Sequence, residues 1–560
     1  MSPPSQPLQQ QSIHINTKDY KTFWTTDGRE IPLAQTDRVL PNDTVQYNGE
    51  KYVTTERADH PLLVGVLNVK SKYMYGMSSR GTPQYLFTPY NESYPPFIVG
   101  SKDKTANKIV LIKFESWDVG QKFPKGQLVN TIGLCGDFLA EAKALYWQHS
   151  PYMFKGDAYD IASEDQYLQE GRTDLTDKYT LNIDPAGCKD IDDVLTVYEI
   201  KPSTSTNTST SEYCIGITIS DVSETIDPGS QLDIHAARTG QSLYSEFLPP
   251  RNMLPPIFSE DHLSLLPGKK RLGISLICRF IDNTFIESLF VETVVKNKES
   301  FTYENVAEKC DPKVVNMIRR AARALGITEA NAQDPHKWIE TFMIFYNTEV
   351  AQVLQRQKVG IFRGQKVVVA NDMEKYKRIC PELANQAAVF TDCENILPHV
   401  SLELDCYCYA TSPIRRYVDI VNQRLLKLFI KMDFKNIILE EASDIQPLVD
   451  QQNLLQKGAK HHSREDFFLR LLQEGEHNAN ANNNNKTSRT IEGVVFEFNE
   501  AKMKVYVPLW KRFVKVRQNL QEEPDKYEEG QTIQLRYFYD ANQVAWKNRM
   551  VFEVLPPTTV

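Results

Sequence analysis

Four aspartates within ten residues constrain this chain more strongly than any other feature of its sequence. They are Asp184, Asp190, Asp192 and Asp193. Apolar and polar residues alternate on both sides of the cluster, over residues 179–183 and 194–200, and the turn residues Pro185 and Gly187 lie between the two runs. This pattern predicts two β-strands joined by a turn. The carboxylates are therefore expected where a turn meets the edge of a sheet.

The crowding of four carboxylates needs a physical explanation, because like charges at short range repel. A hard cation such as Mg²⁺ removes that cost, since it prefers oxygen ligands and is typically held by one or two carboxylates plus substrate phosphates. Two such ions activate a water and stabilise the leaving oxygen at a phosphodiester. The alternative is an acidic turn whose aspartates cap backbone amides. An EF-hand loop is excluded, because a loop starting at Asp190 has Val194 at a ligand position.

A second segment, Thr411-Ser412-Pro413-Ile414-Arg415-Arg416-Tyr417, carries two consecutive arginines. A hydroxyl residue followed by proline predicts the start of a helix. Arg415 and Arg416 would then lie in its first turn, where the positive end of the helix and two guanidinium groups suit phosphate oxygens. The alternative is an ion pair with Asp419, three or four residues further along the helix.

The composition is that of a folded protein with hydrophobic cores, since 41% of the 560 residues are apolar and 10% are aromatic. The net charge of −8 argues weakly against a nucleic-acid partner, although a local basic channel is compatible with it. Nine scattered cysteines without Cys-x-x-Cys spacing favour a reducing compartment. The sequence has neither an apolar leader nor a long apolar run, so we expect a cytoplasmic protein without a membrane segment.

Short strands bounded by turn residues predict small β-barrels at both ends of the chain. Residues 14–56 and 62–114 show this pattern before the aspartates, and residues 489–555 show it after them. Six basic residues and no acid lie between Lys502 and Arg517, interleaved with aromatic residues. Such a pattern is typical of a barrel that binds single-stranded RNA, with a solvated basic face as the alternative. The predicted RNA contacts of this barrel are Lys511, Arg512, Lys515 and Arg517.

The segments between the barrels contain helical patterns and one polar run. Residues 138–147 consist of good helix formers, and residues 303–325 and 338–357 have apolar residues at three- and four-residue spacing, so we expect helices there. The low-complexity polar run 201–211 predicts an exposed loop between two strands.

The order of these motifs resembles the RNB family of ribonuclease II-like exoribonucleases. The resemblance rests on the Asp-x₅-Asp-x-Asp-Asp spacing, on the segment from Thr411 to Tyr417 and on Ser242-x-Tyr244. It covers roughly residues 15–555 and implies a multidomain α+β fold, in which small OB/cold-shock-type β-barrels flank a central α+β RNB catalytic domain. The implied divisions are a disordered tail (1–12), two cold-shock-like barrels (13–60 and 61–135), the catalytic domain (136–475), an Asn-rich linker (476–488) and an RNA-binding OB-fold (489–555).

The resemblance implies a processive 3′→5′ hydrolytic exoribonuclease. Such an enzyme degrades single-stranded RNA to nucleoside 5′-monophosphates through Mg²⁺-dependent attack of water on the terminal phosphodiester. It implies a monomer that uses two Mg²⁺ ions, which Mn²⁺ replaces; membership of an RNA-decay complex is not readable from the sequence. The implied roles are metal binding by Asp184, Asp190, Asp192 and Asp193, catalysis by Asp192, Arg415 and Arg416, and base contacts by Tyr244 and Phe362.

Two other function classes remain open. A catalytically silent RNA-binding scaffold would keep the fold, although the four intact aspartates favour an enzyme. A nuclease for single-stranded DNA would differ in its contacts to the 2′-hydroxyl. The chain also departs from the family pattern at Thr218 and Gln423, where histidine is common, and we expect these departures to affect substrate detail rather than activity.

Overall fold

The computed structural model describes residues 13–25, 28–152, 154, 171–200, 211–365, 375, 378–380, 388–432, 445–481, 489–499, 502–517, 527–540 and 546–555 of the chain. The predicted tail (1–12), most of the predicted polar loop (201–211) and the end of the predicted linker lie outside the described residues.

The chain begins with a six-stranded sheet of order β3-β2-β1-β5-β6-β4. Its small core contains Ile15, Phe23, Ile31, Val39 and Val45, which alternate with exposed residues along the strands. Its strands are β1 (Ile13–Thr17), β2 (Thr22–Thr25), β3 (Glu30–Pro32), β4 (Thr36–Asp37), β5 (Thr44–Tyr47) and β6 (Tyr52–Glu56).

The next five strands close into a barrel, because β10 pairs with both β7 and β11. Helix α1 (Phe138–His149) follows directly and begins at Asp137, whose side chain accepts a hydrogen bond from the Ala140 amide. Ala140 and Ala144 of α1 pack against apolar residues on the outside of the barrel. The barrel strands are β7 (Leu63–Leu67), β8 (Gln84–Pro89), β9 (Phe97–Gly100), β10 (Lys108–Ser116) and β11 (Lys125–Leu134).

A seven-stranded sheet of order β12-β17-β16-β15-β14-β13-β18 forms the centre of the molecule. Strand β15 is buried along almost its whole length, which agrees with its nearly continuous apolar sequence. The outer pairs β12/β17 and β13/β18 are parallel and the inner pairs are antiparallel. The strands are β12 (Thr173–Asp174), β13 (Tyr179–Asp184), β14 (Asp193–Glu199), β15 (Glu212–Ser220), β16 (Lys270–Ile281), β17 (Thr284–Lys296) and β18 (Glu299–Thr302).

Helices cover one face of this sheet and share its main hydrophobic core. The predicted helix over 303–325 is two helices, because Asp311 and Pro312 start a new one with an aspartate cap. The helices are α2 (Gln231–Thr239), α3 (Val306–Lys309), α4 (Pro312–Ala324), α5 (Pro335–Gln357), α6 (Tyr417–Ile430) and α7 (Gln446–Ala481). A short pair, β19 (Phe362–Gly364) and β20 (Val389–Thr391), lies between α5 and α6.

Two boundaries differ from the sequence-based prediction. Helix α6 begins at Tyr417 and not at Pro413, so Arg415 and Arg416 precede the helix. Helix α7 continues through Ala481, so the predicted linker 476–488 is helical in its first half. The helix that Leu469 and Leu472 anchor in a core continues through His477 into the asparagine-rich segment and ends at Ala481.

The last five strands form a sheet of order β23-β22-β21-β24-β25. Its core also contains residues of α1 and α7, so this sheet packs against both helices. Its strands are β21 (Arg489–Asn499), β22 (Lys502–Val507), β23 (Arg512–Arg517), β24 (Thr532–Tyr539) and β25 (Met550–Val554). The mixed α+β architecture with small β-barrel modules is therefore the predicted one. None of the helices in the described part of the chain has both the length and the apolar character needed to cross a bilayer.

Candidate active site

The four aspartates line one cavity of about 670 Å³. The arginine segment forms another part of its wall, with Thr411, Ser412, Arg415 and Arg416. The two motifs are more than 200 residues apart in sequence, and the fold brings them together. Aromatic and polar side chains complete the wall, among them Tyr244, Tyr303, His336, Asn347, Arg363, Tyr407 and Tyr409.

The strand pairing places the aspartates. Asp184 ends β13 and Asp193 begins β14, and the two strands pair antiparallel with Leu181 opposite Leu195. The connection between them turns at Gly187, whose φ of +83° favours glycine. Ser264 holds the far side of this turn, since its hydroxyl accepts from the Ile191 amide and donates to the Lys189 carbonyl. The predicted strand-turn-strand arrangement is thus confirmed.

Asp192 is buried and makes hydrogen bonds through both carboxylate oxygens. The Ile414 amide donates to Oδ1 at 2.9 Å, and Arg415 Nε donates to Oδ2 at 2.9 Å. Arg415 Nη2 in turn donates to Ser412 Oγ. Burial raises the pKa of Asp192 to about 7, although Arg415 opposes the shift. The ion pair with Arg415 therefore stabilises a carboxylate in a setting that disfavours its charge.

The other three aspartates accept no hydrogen bond from a cationic side chain within the described structure, and Asp190 accepts a weak one from Cys188 Sγ at 3.6 Å. Asn182 donates to Asp184 Oδ2 at 2.9 Å, and the Tyr244 hydroxyl donates to Asp190 Oδ2. Burial raises the pKa of Asp184, and burial together with the charges of Asp184 and Asp192 raises the pKa of Asp193 well above its usual range. Negative charge is therefore under-compensated on this side of the cavity.

The chemistry of this donor set fits Mg²⁺ or Mn²⁺, because it consists of carboxylate oxygens and leaves room for water and phosphate ligands. A bound cation would lower the pKa values of Asp184 and Asp193, which burial and neighbouring carboxylates raise. The described residues contain two groups of three potential ligands whose donor atoms lie within 4.8 Å, and neither includes these aspartates. Their oxygens are thus spread around the cavity and do not form a closed protein cage.

Arg415 and Arg416 differ in their surroundings. Arg415 pairs with Asp192, whereas Arg416 Nη2 donates to Asp419 Oδ1 at 2.8 Å. Arg416 also lies 3.8 Å above the centre of the Tyr409 ring. The ion pair with Asp419, left open as an alternative from the sequence, is therefore present for Arg416. Because helix α6 begins after both arginines, neither side chain lies in its first turn.

The two aromatic side chains predicted to contact bases have opposite environments. The Tyr244 side chain lines the cavity and is 44% exposed. Phe362 is fully buried in the main hydrophobic core. A ring without accessible surface cannot stack on a base in this arrangement, which argues against the predicted role of Phe362. Phe362 is the first residue of β19, and its backbone pairs with Thr391 and with Cys408. This pairing directs the Phe362 ring into the main hydrophobic core.

The cavity also has an aromatic pair that the sequence did not indicate. Tyr303 and His336 stack with ring centres 3.8 Å apart and planes 15° from parallel. Tyr303 directly follows β18, and His336 lies in the first turn of α5. No local sequence motif links two residues that are 33 positions apart. Nearby, Arg363 lies 4.4 Å above the Tyr409 ring. A stacked pair beside the aspartates is a surface suited to a nucleobase or a sugar.

The basic residues of the last sheet lie apart from the residues that line the cavity. Lys511 and Lys515 are exposed. Arg512 packs over the Phe468 ring of α7, with its Nη1 bonded to the Arg464 carbonyl, and is half-buried. Arg517 ends β23, and its side chain lies outside the described part of the structure. Arg512 thus has a packing function in addition to its charge.

The two departures from the family pattern are buried and bonded to the scaffold. The Thr218 hydroxyl pairs with Ser275 at 2.6 Å. Gln423 Oε1 accepts from the Ser223 amide, and its Nε2 donates to the Ser220 carbonyl. Neither residue is among those lining the cavity. The Thr218 side chain links β15 to β16, and the Gln423 side chain links α6 to the end of β15.

Comparisons with known proteins agree with the geometry. The RNB domain model matches residues 172–321 and 313–432, and the Dis3-like cold-shock domain 2 model matches residues 84–150. Exosome complex exonuclease RRP44 of Mus musculus is 23% identical over 498 residues, covering 72% of this chain and 51% of the relative. Ribonuclease R of Chlamydia muridarum is 25% identical over 347 residues, covering 48% of this chain and 49% of the relative. The chain thus spans about half the length of the curated relatives it matches.

Two solved structures share the fold. Mycoplasma genitalium RNase R, in complex with ribose-methylated single-stranded RNA, has a TM-score of 0.71 at 16% identity, covering 97% of this chain and 100% of the other. Yeast Ssd1, described as a pseudonuclease, has a TM-score of 0.64 at 16% identity, covering 90% of this chain and 78% of the other. With the matched family models, the aspartate motif and this shared fold, the chain belongs to the RNB family of exoribonucleases.

Proposed function

We propose that the chain is an active 3′→5′ hydrolytic exoribonuclease that shortens single-stranded RNA processively and releases nucleoside 5′-monophosphates. One observation carries the proposal: all four motif aspartates line the same cavity as Arg415. A silent relative has no need of four carboxylates at one cavity wall, of which Asp192 is paired with Arg415.

Asp184, Asp190 and Asp193 would hold Mg²⁺ or Mn²⁺, since their carboxylates carry few bonds from the protein. Asp192 would complete the set. Bound at this place, such an ion lowers the pKa of a ligand water and neutralises phosphate charge. The protein groups have their own tasks. Arg415 would place its guanidinium beside the phosphate, where it stabilises negative charge that develops in the transition state.

The aromatic side chains of the cavity would position the 3′ end. Tyr244 would stack on a base next to the scissile bond, and the Tyr303–His336 pair would contact the terminal nucleoside. Stacking suits this task because it tolerates any sequence. The exposed Lys511 and Lys515 of the last sheet, together with the two N-terminal sheets, would guide the strand toward the cavity through phosphate contacts.

We further propose that the two N-terminal sheets, the central α+β part and the last sheet correspond to the domains expected from the sequence. The helical start of the linker would belong to the catalytic domain. The chain would act as a monomer. Membership of a larger RNA-decay complex is suggested by the name of the mouse relative, an exosome complex exonuclease.

The competing function is an RNA-binding scaffold without activity, as the word pseudonuclease describes yeast Ssd1. A time course on 5′-labelled single-stranded RNA with Mg²⁺ separates the two. We expect a ladder that shortens to a small end product, and no shortening in EDTA or with Asp192→Asn. Asp177→Asn is the matched control, because Asp177 is 72% exposed.

A DNA oligomer of the same base sequence, run in parallel, tests whether the protein distinguishes ribose from deoxyribose. RNA that is bound but stays intact with Mg²⁺ and with Mn²⁺ would establish the scaffold function. Internal cuts that persist in Asp192→Asn would place the chemistry elsewhere.

A further inference from the structure

A second group of potential metal ligands lies outside the aspartate cavity, where α1 meets α7. It consists of His149, the last residue of α1, and of His461 and Glu465 on α7. The spacing of four between His461 and Glu465 puts both side chains on the same face of the helix. The three donor atoms all lie within 4.8 Å of one another.

The distances fit a shared ion. His149 Nε2 and His461 Nδ1 each lie 3.4 Å from the same oxygen, Glu465 Oε2. These separations are longer than those in most N–H···O hydrogen bonds, in which the nitrogen and oxygen are about 2.7–3.2 Å apart. Two ligands that are each about 2.0–2.1 Å from a tetrahedral ion lie roughly 3.4 Å apart. The two imidazoles therefore already have the separation from Oε2 that a tetrahedral ion requires.

The environment also suits binding. The side chains of His149 and Glu465 are 9% and 6% exposed, whereas that of His461 is 56% exposed and opens the group to solvent. His462, beside the group, is fully buried, and neither of its ring nitrogens has a hydrogen-bond partner within the described structure.

A cation in direct contact with Glu465 opposes the site, and Arg464 and Arg512 lie near the group as well. Lys547, from the turn before β25, contacts Glu465 through the other oxygen, Oε1. Oε2 stays available to an ion, and the Lys547 side chain, at 51% exposure, has room to move away. Lys547 would weaken binding through charge repulsion without blocking the site.

We propose that His149, His461 and Glu465 form a second metal site, which takes a borderline transition-metal dication such as Zn²⁺ and ties α1 to α7. Two imidazoles and one carboxylate select Zn²⁺ over Mg²⁺, whereas the all-oxygen aspartate cavity has the opposite preference. Because α1 packs on the closed barrel and α7 packs on the last sheet, the ion would join these two modules. Its task would be structural and separate from RNA hydrolysis.

The test uses the full chain, freed of metal with a chelator that is then removed. Zn²⁺ is added in the presence of excess Mg²⁺, which occupies the aspartate cavity, and a chromophoric chelator reports affinity and stoichiometry. Co²⁺ serves as a spectroscopic probe, since imidazole and carboxylate ligands in tetrahedral geometry give it intense visible absorption. We expect one ion per chain and a higher melting temperature with the ion bound.

His149→Asn and His461→Asn should each weaken binding by more than the roughly 10–100-fold that loss of an outer-shell partner costs, and should abolish the Co²⁺ spectrum. His14→Asn, at an exposed position in β1, is the control and should change neither. Lys547→Met should bind Zn²⁺ several-fold more tightly, and this gain does not depend on the folding of the histidine variants. Zn²⁺ affinity that is unchanged in both histidine variants, or a wild-type chain that binds no Zn²⁺ when Mg²⁺ is in excess, would show that the group is only a hydrogen-bonded ion pair.

Discussion

Arg415 Nε donates a hydrogen bond to Asp192 Oδ2 at 2.9 Å, between residues separated by 223 positions in the sequence. The bond joins the two motifs of the site into one unit. It uses one edge of the guanidinium and one carboxylate oxygen, so each residue orients the other. It also stabilises the charged form of an aspartate whose pKa burial raises.

Asp192→Asn is expected to remove RNA hydrolysis while RNA binding stays nearly unchanged. The amide nitrogen would face either the Ile414 amide or Arg415 Nε, so one of two donors loses its acceptor. Loss of one such group at a reaction centre typically lowers kcat about 100-fold or more. Single-turnover cleavage measures the rate, and fluorescence anisotropy measures RNA affinity. A fall in affinity that matches the fall in rate would instead assign Asp192 to substrate binding.

Tyr244→Phe and Tyr244→Ala should have different effects. The ring is 44% exposed in the cavity, while its hydroxyl bonds Asp190. Phenylalanine keeps the stacking surface and frees the carboxylate, so we expect RNA affinity to be kept and the Mg²⁺ concentration for half-maximal rate to fall. Alanine should weaken RNA binding by about 1–3 kcal/mol. Equal loss of affinity in both variants would mean that the hydroxyl, and not the ring, contacts RNA.

Arg416→Ala should reduce the stability of the fold. Arg416 pairs with Asp419, whose side chain is fully buried. Removing the arginine leaves that charge uncompensated, at a cost of about 3 kcal/mol. Urea unfolding measures the difference. The double variant Arg416→Ala/Asp419→Ala should recover part of the loss, because it removes the stranded charge as well; no recovery would show that packing on Tyr409 dominates.

His235 should make the fold less stable in mild acid. Burial, reinforced by Arg251 and Arg238, lowers the pKa of His235 from 6.5 to about 4. Between these two values the unfolded chain binds a proton that the folded chain does not, so stability falls as pH decreases through this window. We expect a loss of about 1 kcal/mol between pH 7.5 and pH 5, allowing for partial solvent screening.

His235→Gln removes this titration. Its urea midpoint should fall less between pH 7.5 and pH 5 than the wild-type midpoint does. His14→Gln, at an exposed position, serves as the control and should behave as wild type. If the His235 variant keeps the full wild-type decrease, the acid sensitivity arises from other groups.

Gln423→Ala tests whether the departure from the common histidine is structural. The amide side chain bonds both the Ser223 amide and the Ser220 carbonyl in a buried position. Leaving these two groups without partners should cost about 1–3 kcal/mol of stability. The rate of RNA hydrolysis at a permissive temperature should stay within about twofold. A large fall in kcat with normal stability would instead give Gln423 a role in the reaction.

Patterns local to a few residues were enough to predict much of the molecule. Alternation around the aspartates predicted β13, the turn and β14, because a strand with one buried face must repeat its apolar residues every second position. The motif itself marked Asp184, Asp190, Asp192 and Asp193, and turn-bounded strands marked the barrel modules. Helical spacing predicted α1 and α5 within a few residues.

Errors arose where long-range packing overrides a local signal. Pro413 is a good helix start, yet the backbone of 412–416 is used elsewhere: the Ile414 amide bonds Asp192, and the Arg415 carbonyl accepts from the Ser242 amide. Helix α6 therefore begins at Tyr417. The asparagine-rich segment suggested a linker, but Leu469 and Leu472 anchor α7 in a core and the helix extends beyond it. Phe362 was assigned to the substrate, although its strand pairing directs it into the core.

By itself the sequence determined the charges, the strand and helix periods and the two motifs, because these depend on residues close together along the chain. Only the tertiary structure decided which distant partners they have: Asp192 with Arg415, Tyr303 with His336, and His149 with Glu465. The first two pairs line one cavity, and the third links α1 to α7. Such pairs form when separate segments pack together, and their energy depends on distance and burial, which no local pattern of residues contains.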